Sequence, residues 1–518
     1  MKNFKLYISA LAVMAFATSC KKSFLDEQPN QVVTTVQESA EVKKDPSLLD
    51  ARISGLYTTM YEDGTGGTTN HDDFGQKGYD IYSDMLSGDM ALSALTYGWY
   101  GGIEKRTDTK NAVANGDYEP WRYYYRVIYA ANTVIDILGG NNATLSNSDL
   151  KHYMGQAKAM RAYAYFYLAN LYQYNGYGDG TEKVLPILTS ATDDSKPAST
   201  SAQVYTQIIG DLNDAITLLG DYTRPDKGHI DVNVAKGLLA YALAARGTNA
   251  DLQQVETLTS DVLAKYPLTT AQQVVSNFTG ANSATNAGSG FNNLATPSWI
   301  WGADITLSSG LDLVSWWGQV DVFTYSYAWV GDAKVIDQNL LAAMKDTQHS
   351  GVGGVTPDIR QYQFVSNSRG LIPINKFFDP GRTIGGQRNI TTDYIYMRAD
   401  EMELLNAEAH VRLGDDPGAR TALKALLANR YLTSAGYAYI DGLSGSALAN
   451  EVYLQTRMEL WGEGKSYLSL KRNKLSVTKG PNHKLTLDQI GVTIPYNDPG
   501  ITFVTPSAEY LYNSNLHK

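Results

Sequence analysis

The sequence predicts a mainly α-helical protein, an irregular array of helix pairs interrupted by one loop-rich insertion. Three observations carry that expectation. Long stretches place apolar residues at the helix period of about 3.6. Turn signals separate those stretches into pairs. One extended stretch abandons the period for Gly, Asn, Ser and Thr with clustered aromatics. At 518 residues the chain exceeds the about 250–300 at which single cores stop growing, so two domains or one elongated array is expected.

Taken in order, residues 1–19 read as an export signal. A basic start (Met1-Lys2-Asn3-Phe4-Lys5) precedes an apolar stretch from Leu6 to Ala17, and Ala17-Thr18-Ser19 leads into Cys20, the single cysteine of the chain. This is the layout of a bacterial lipoprotein signal, cut before the cysteine so that the thiol can be acylated. Residues 20–44 are polar and without strong period, a lipidated tether. No later stretch approaches the about 20 apolar residues of a membrane span, so the anchor is expected to be lipid alone.

The fold proper is expected over residues 45–518. Helical signals begin at Ser47 to Tyr57, and a Gly/Thr/Asn-rich loop, Asp63 to Asn70, interrupts them. Four periodic segments follow. Ala157, Met160, Ala164, Tyr167 and Leu171 line one face of the first. Tyr205, Ile208, Ile209, Leu212, Ile216 and Leu219 form the stripe of the second. The third carries Val234, Leu238, Tyr241 and Ala245 behind Asp231-Val232-Asn233. The fourth has Leu404, Ala407 and Val411, a Gly414-Asp415-Asp416-Pro417 turn, then Ala419, Ala422, Leu423 and Leu426, with proline just inside a helix start. The segment from Asn406 to Leu423 resembles half of a tetratricopeptide repeat, and the uneven spacing of the pairs makes the array a degenerate one with a face suited to a partner. Between about 271 and 393 lies the loop-rich insertion. Short strands are expected at Trp299-Ile300-Trp301 and from Val320 to Tyr325, and long loops on a rigid scaffold commonly carry function.

Composition removes several function classes. A net charge of −10 with dispersed Lys and Arg leaves no electrostatic footprint for nucleic acid. A single cysteine excludes disulfides and thiolate metal sites within the chain. The seven histidines are far apart with no metal-ligand spacing, so no metal or cofactor is expected, a supporting calcium ion being left open. Gly64-Thr65-Gly66-Gly67 lacks the Lys-Ser/Thr of a phosphate loop, and Asp73-Phe74-Gly75 lacks every partner motif of a kinase. Paired carboxylates could serve a glycosidase. Glu401/Glu403 and Asp415/Asp416 sit in or beside helices, where acids have structural roles, while Asp72/Asp73 in a loop stays open as an enzymatic alternative.

Aromatics are the remaining signal, with 36 Tyr against 12 Phe and 8 Trp. Rings stack on the apolar faces of sugars while neighbouring polar groups bond the hydroxyls. Tyr97-Gly98-Trp99-Tyr100-Gly101-Gly102 and Trp316-Trp317-Gly318-Gln319 are the densest local cases, each open to an alternative role as a core anchor beneath a loop.

Several blocks resemble the SusD/RagB lipoproteins. They are Cys20 to Pro29, Tyr79 to Met90 (a helix ending in Asp-Met), Trp121 to Asn132, Ala157 to Phe166, Tyr396 to Ala409, and Arg457 to Gly464, in the family's order over nearly the whole chain. Lys465-Ser466-Tyr467 stands where the family usually has arginine then aspartate, and the Gln173–Leu185 loop is longer than usual. The resemblance implies a non-enzymatic, lipid-anchored outer-membrane protein facing the cell exterior. It would bind a glycan and deliver it to a SusC-like TonB-dependent transporter. A peptide ligand, or a scaffold that binds only protein partners, are the alternatives. By position, the family's glycan contacts correspond to Tyr97, Trp99 and Tyr100, and to Trp316, Trp317 and Tyr325.

Overall fold

The computed structural model describes residues 34–276, 289–346 and 357–516. The expected signal segment, Cys20 and the block Cys20 to Pro29 lie outside the described residues. Within the segment read as a tether, Thr35–Val42 forms helix α1, closed at its start by a capping box between Thr34 and Gln37, and Val42 is buried. Next come α2 (Asp50–Thr58) and α3 (Gln76–Leu86). Helix α3 ends at Leu86, so Asp89-Met90 lies past it and Met90 opens a strand.

The array follows as α4 (Asn115–Ile137), α5 (Ser148–Tyr172), α6 (Ser201–Leu218), α7 (Val232–Arg246) and α8 (Asn249–Leu263). After the insertion, which contributes α9 (Gln338–Lys345), it resumes with α10 (Ala399–Leu413), α11 (Asp416–Leu427), α12 (Gly445–Glu459) and α13 (Lys465–Arg472). Consecutive helices from α4 to α8 pack on one another, α8 packs on α10, and α10 on both α11 and α12. The insertion therefore leaves the array between α8 and α10 without breaking its stacking. The fold is mainly α, as the sequence predicts.

Local chemistry sets these boundaries. Asn147 accepts the Leu150 N–H at the start of α5, Thr200 and Gln203 form a capping box on α6, and Asp231 accepts the Asn233 and Val234 N–H groups of α7. Each satisfies donors that a helix start leaves unpaired. Helices α7 and α10 stop at Gly247 (φ 72°) and Gly414 (φ 79°), left-handed positions that glycine takes without steric cost. Helix α5 is buried on every side from Met154 to Tyr172 and forms the spine of the core. Its alanines at 157, 159, 162, 164 and 169 let neighbouring helices approach closely.

In the insertion Trp299–Ala303 is a strand, paired antiparallel with Tyr394–Arg398 at the start of α10. The expected strand from Val320 to Tyr325 is absent as a ladder. Val320 ends a short helix, Trp316–Val320, and an isolated bridge joins Thr324 to Gln387. Residues 322–325 still bond to the 385–387 backbone, but the Asp321 carboxylate takes the Phe323 N–H together with the Thr324 hydroxyl and the Asp379 N–H, so the pairing stays irregular and no ladder forms.

A buried ionic cluster locks the insertion to the array. Arg398 bonds Glu463 (2.8 Å) and Glu459 (2.8 Å), Arg430 reaches Glu459 (2.7 Å) and Asp400, and Arg360 bridges Asp358 (2.6 Å) to Glu459 (3.2 Å). Lys376 joins Glu463 at 2.9 Å, so four cations face four carboxylates. Burial alone would raise the Glu459 carboxyl, but Arg430 and Arg398 beside it hold it well below the usual carboxylate range. The Tyr396 to Ala409 and Arg457 to Gly464 blocks thus supply the clamp.

Candidate functional site

The loop that follows the strand Met90–Leu92 is pinned to the insertion. That strand pairs antiparallel with Lys334–Ile336. Beyond it, the Ser93 hydroxyl donates to the Gly331 carbonyl (3.0 Å), and the Asp332 carboxylate accepts the Thr96 (2.9 Å) and Tyr97 (2.8 Å) N–H groups. The loop is therefore presented in one conformation although its tip is in solvent.

On this frame sits an aromatic shelf. Tyr97 is 51% exposed and meets Tyr327 edge-on at 5.2 Å between centroids. Half-buried Trp99 stacks nearly parallel on His71, at 5.0 Å and 8°. His71 Nδ1 and the Tyr327 hydroxyl share a 2.6 Å hydrogen bond, and Gln319 Nε2 donates to the His71 carbonyl at 2.6 Å. Tyr327 opens a short helix, Tyr327–Val330, that also carries Trp329. Half-buried Tyr325 packs on Trp329 (5.4 Å), and the Arg388 guanidinium lies over the Tyr325 ring at 4.2 Å. Gly385, at φ 61°, backs Trp329 so closely that a Cβ there would come within 2.8 Å of the indole.

Two segments remote in sequence thus converge: Tyr97 and Trp99 from the early loop, and Tyr325 from the insertion. The other three expected site residues are elsewhere. Trp316 and Trp317 are each 1% exposed and offer no face to a ligand. Trp316 packs on Phe377 (5.3 Å) beneath the Lys77 ammonium (4.2 Å), and the Trp317 indole donates to the Thr392 carbonyl (2.7 Å). They are core anchors, and their helix contributes indirectly through Gln319. Tyr100, also 1% exposed, is turned inward by its left-handed backbone (φ 65°) against Tyr82 and the Lys334 ammonium. Sequence reading missed His71, weighed there only as a metal ligand, and it passed over Tyr327 and Trp329. The last two lay in the aromatic cluster already noted; nothing local marked His71.

Under the shelf the electrostatics are those of a buried polar layer. Asp73 accepts the Gly66 (2.6 Å) and Thr68 (2.9 Å) N–H groups and the Tyr79 hydroxyl (3.2 Å), while Glu119 accepts from Thr68, Asn70 and Tyr82. Burial pushes the Asp72 carboxyl up to about 6. Burial, reinforced by Asp72 and Asp73, pushes Glu119 up to about 8, and burial brings the Lys334 ammonium down to about 7. Asp72 and Asp73 are both buried here, Asp73 with both oxygens engaged in holding the 64–70 loop. Among the described residues no group of three or more His, Cys, Asp or Glu is placed to hold a metal ion.

A cavity of about 640 Å³ adjoins the shelf. Ser93 and Gly331 in its wall begin and end the segments that carry Tyr97 and Trp329, and Val335 and Leu371 provide apolar surface. Its size lies within the about 300–1,000 Å³ of small-ligand sites. Two other openings lie on the array itself. One of about 610 Å³ is lined by Lys158, Arg161, Asp211 and Asp214, whose charges pair with each other, and one of about 390 Å³ lies between His152 and His229.

The scaffold and its pinned loops define the class. Residues 23–247 match a family described as starch-binding and associating with the outer membrane, and residues 322–505 match the SusD family (SusD/RagB). The chain belongs to the SusD/RagB family. It is 26% identical over 269 residues to a SusD-like protein of Bacteroides ovatus, a match covering 50% of this chain and 44% of the relative. The matched stretch spans less than half the length of the curated relatives. Among solved structures, a SusD-like carbohydrate binding protein from Bacteroides vulgatus superposes with a TM-score of 0.69 at 22% identity, covering 91% of this chain and 97% of that one. A laminarin binding SusD-like protein superposes with a TM-score of 0.58 at 19% identity, covering 91% and 98%. These likenesses establish the fold. Among the described residues no helix is long and apolar enough to cross a membrane.

Proposed function

We propose that the protein captures a glycan on the Tyr97–Trp99 shelf and hands it to a SusC-like TonB-dependent transporter, performing no catalysis itself. One observation carries this reading: rings from two distant segments are held, half-exposed, on a braced loop beside a cavity of ligand size. Exposed rings with fixed geometry give a sugar face a place to stack, and a braced loop loses little entropy when it binds. The family's starch-binding description and the laminarin-binding neighbour support carbohydrate as the ligand class. The reading calls for no cofactor. Cys20 supplies the lipid anchor, on the outer face of the outer membrane, and the helical array faces the transporter.

Affinity electrophoresis in gels holding single polysaccharides tests the capture step. Trp99→Ala and Tyr97→Ala are expected to weaken retention of whichever polymer slows the parent protein. Retention unchanged in both variants would remove the shelf as the site; a peptide ligand, or release of reducing sugar, would overturn the glycan or non-enzymatic reading. Cys20→Ser is expected to abolish palmitate labelling and release the protein from membranes, and a variant still labelled would refute the anchor.

A further inference from the structure

The cavity beside the shelf is cationic in a chain whose net charge is −10. Among the described residues, Lys345, Arg369 and Lys484 line it and no Asp or Glu does. They come from three separate segments: the end of α9, the turn between the paired strands Val365–Asn367 and Gly370–Ile372, and the loop after α13. None of the three forms an ion pair among the described residues, whereas Arg360 and Lys376 of the insertion and Arg398 and Arg430 of the clamp are paired. Asp332 and Asp337, each next in the chain to a lining residue, are spent internally. Asp332 is buried on the Thr96 and Tyr97 N–H groups, and Asp337 is buried on the Leu340 and Gly480 N–H groups. Arg369 is tied to the shelf, its Nε donating to the Trp329 carbonyl at 2.9 Å, which leaves the other guanidinium N–H groups for the cavity. Ser93, Ser366 and Gln338 add neutral hydrogen-bonding groups to the wall. At the far side of the shelf Arg388 covers Tyr325, a further positive charge beside the stacking rings.

We infer that the glycan is an acidic one, whose carboxylate or sulfate groups are held by Lys345, Arg369 and Lys484 while neighbouring units stack on Tyr97 and Trp99. This rests on the glycan-capture reading above and narrows its substrate class. Unpaired cations converging on a concavity favour an anion because charge-assisted hydrogen bonds are about twice as strong as neutral ones. A neutral polymer would gain only hydroxyl hydrogen bonds from them, while an acidic one adds ion pairing from a residue or two along the chain. Guanidinium suits both planar carboxylate and sulfate, so the geometry selects the charge and leaves its source to experiment.

Calorimetry of the full mature protein against three size-matched oligosaccharide sets tests this: oligogalacturonate (carboxylate), carrageenan oligosaccharides (sulfate) and laminarin oligosaccharides (neutral). At least one anionic set is expected to bind more tightly than laminarin, with affinity falling as salt rises. Arg369→Gln and Lys484→Gln are each expected to weaken it about tenfold and to flatten the salt dependence. Lys265→Gln, an exposed lysine on the array, is expected to change nothing. Which anionic set binds names the source of the charge. Laminarin bound as well as either acid, or anion binding that survives Arg369→Gln and Lys484→Gln or is lost equally with Lys265→Gln, overturns the inference. In the first case Trp99-dependent binding of laminarin leaves glycan capture standing; no binding in any set, with the protein folded, removes both.

Discussion

Trp316 and Trp99 look alike in sequence, large rings within two residues of a glycine in aromatic-rich stretches, yet the structure assigns them opposite consequences. Trp316→Ala removes an indole that is almost wholly buried, packed on Phe377 and beneath Lys77. Truncating such a ring costs about 3–5 kcal/mol in lost transfer energy and residual cavity. At about 2.1 cal/mol/K per residue, the unfolding entropy of a chain this size is about 1 kcal/mol/K, so the midpoint should fall by about 3–5 °C. Trp99→Ala removes a half-exposed ring whose main contact is the stack on His71, worth about 0.5–1.5 kcal/mol, for a fall of about 1 °C. Glycan retention should behave inversely, falling at least about threefold in Trp99→Ala and holding in Trp316→Ala below its melting midpoint. Scanning calorimetry and affinity electrophoresis on the same preparations read both quantities. If Trp316→Ala left the midpoint unchanged and abolished retention, the division into core anchor and ligand shelf would be refuted.

The remaining predictions concern the clamp and the polar layer under the shelf. Glu459→Gln strips one negative charge from three arginines in a buried cluster, and leaving charge uncompensated there costs about 3–5 kcal/mol. Urea unfolding should show that loss, and a change below about 1 kcal/mol would mean that the arginines are satisfied without it. Asp72 and Glu119 have folded values raised by burial, to about 6 and about 8. The folded state therefore binds protons that the unfolded chain releases near pH 4. Their contribution is fully present below about pH 4 and is lost as pH rises through about 6 to 8, so stability should decline across that window. Lys334 faces the same layer, and because burial brings its ammonium down to about 7 it acts in the opposite sense above that pH. Glu119→Gln, neutral throughout, should flatten the decline between pH 6 and 8; an unchanged slope in thermal melts would dismiss Glu119 as its source.

Much of the scaffold was legible because helices are encoded locally. The capping residues Asn147, Thr200, Asp231 and Asp415, the terminal Gly247 and Gly414, and the apolar period of α5 to α8 and α10 to α11 all act within a turn or two of themselves. Strand pairing inside the insertion was less legible, since at 320–325 the Asp321 side chain took the Phe323 N–H and left only irregular backbone bonds to 385–387.

The sequence by itself determined the helical array, its interruption and the family blocks, because period, caps and turn residues are short-range properties. Only the tertiary structure decided which aromatics face solvent. Whether a tryptophan is anchor or platform depends on what packs against its second face. For Trp316 that is Phe377, about sixty residues away, and for half-buried Trp99 it is His71. The unpaired cations of the neighbouring cavity were equally invisible in the chain. Lys345, Arg369 and Lys484 become one charge cluster only when three separate segments meet, and a cluster of like charge is a property of that meeting.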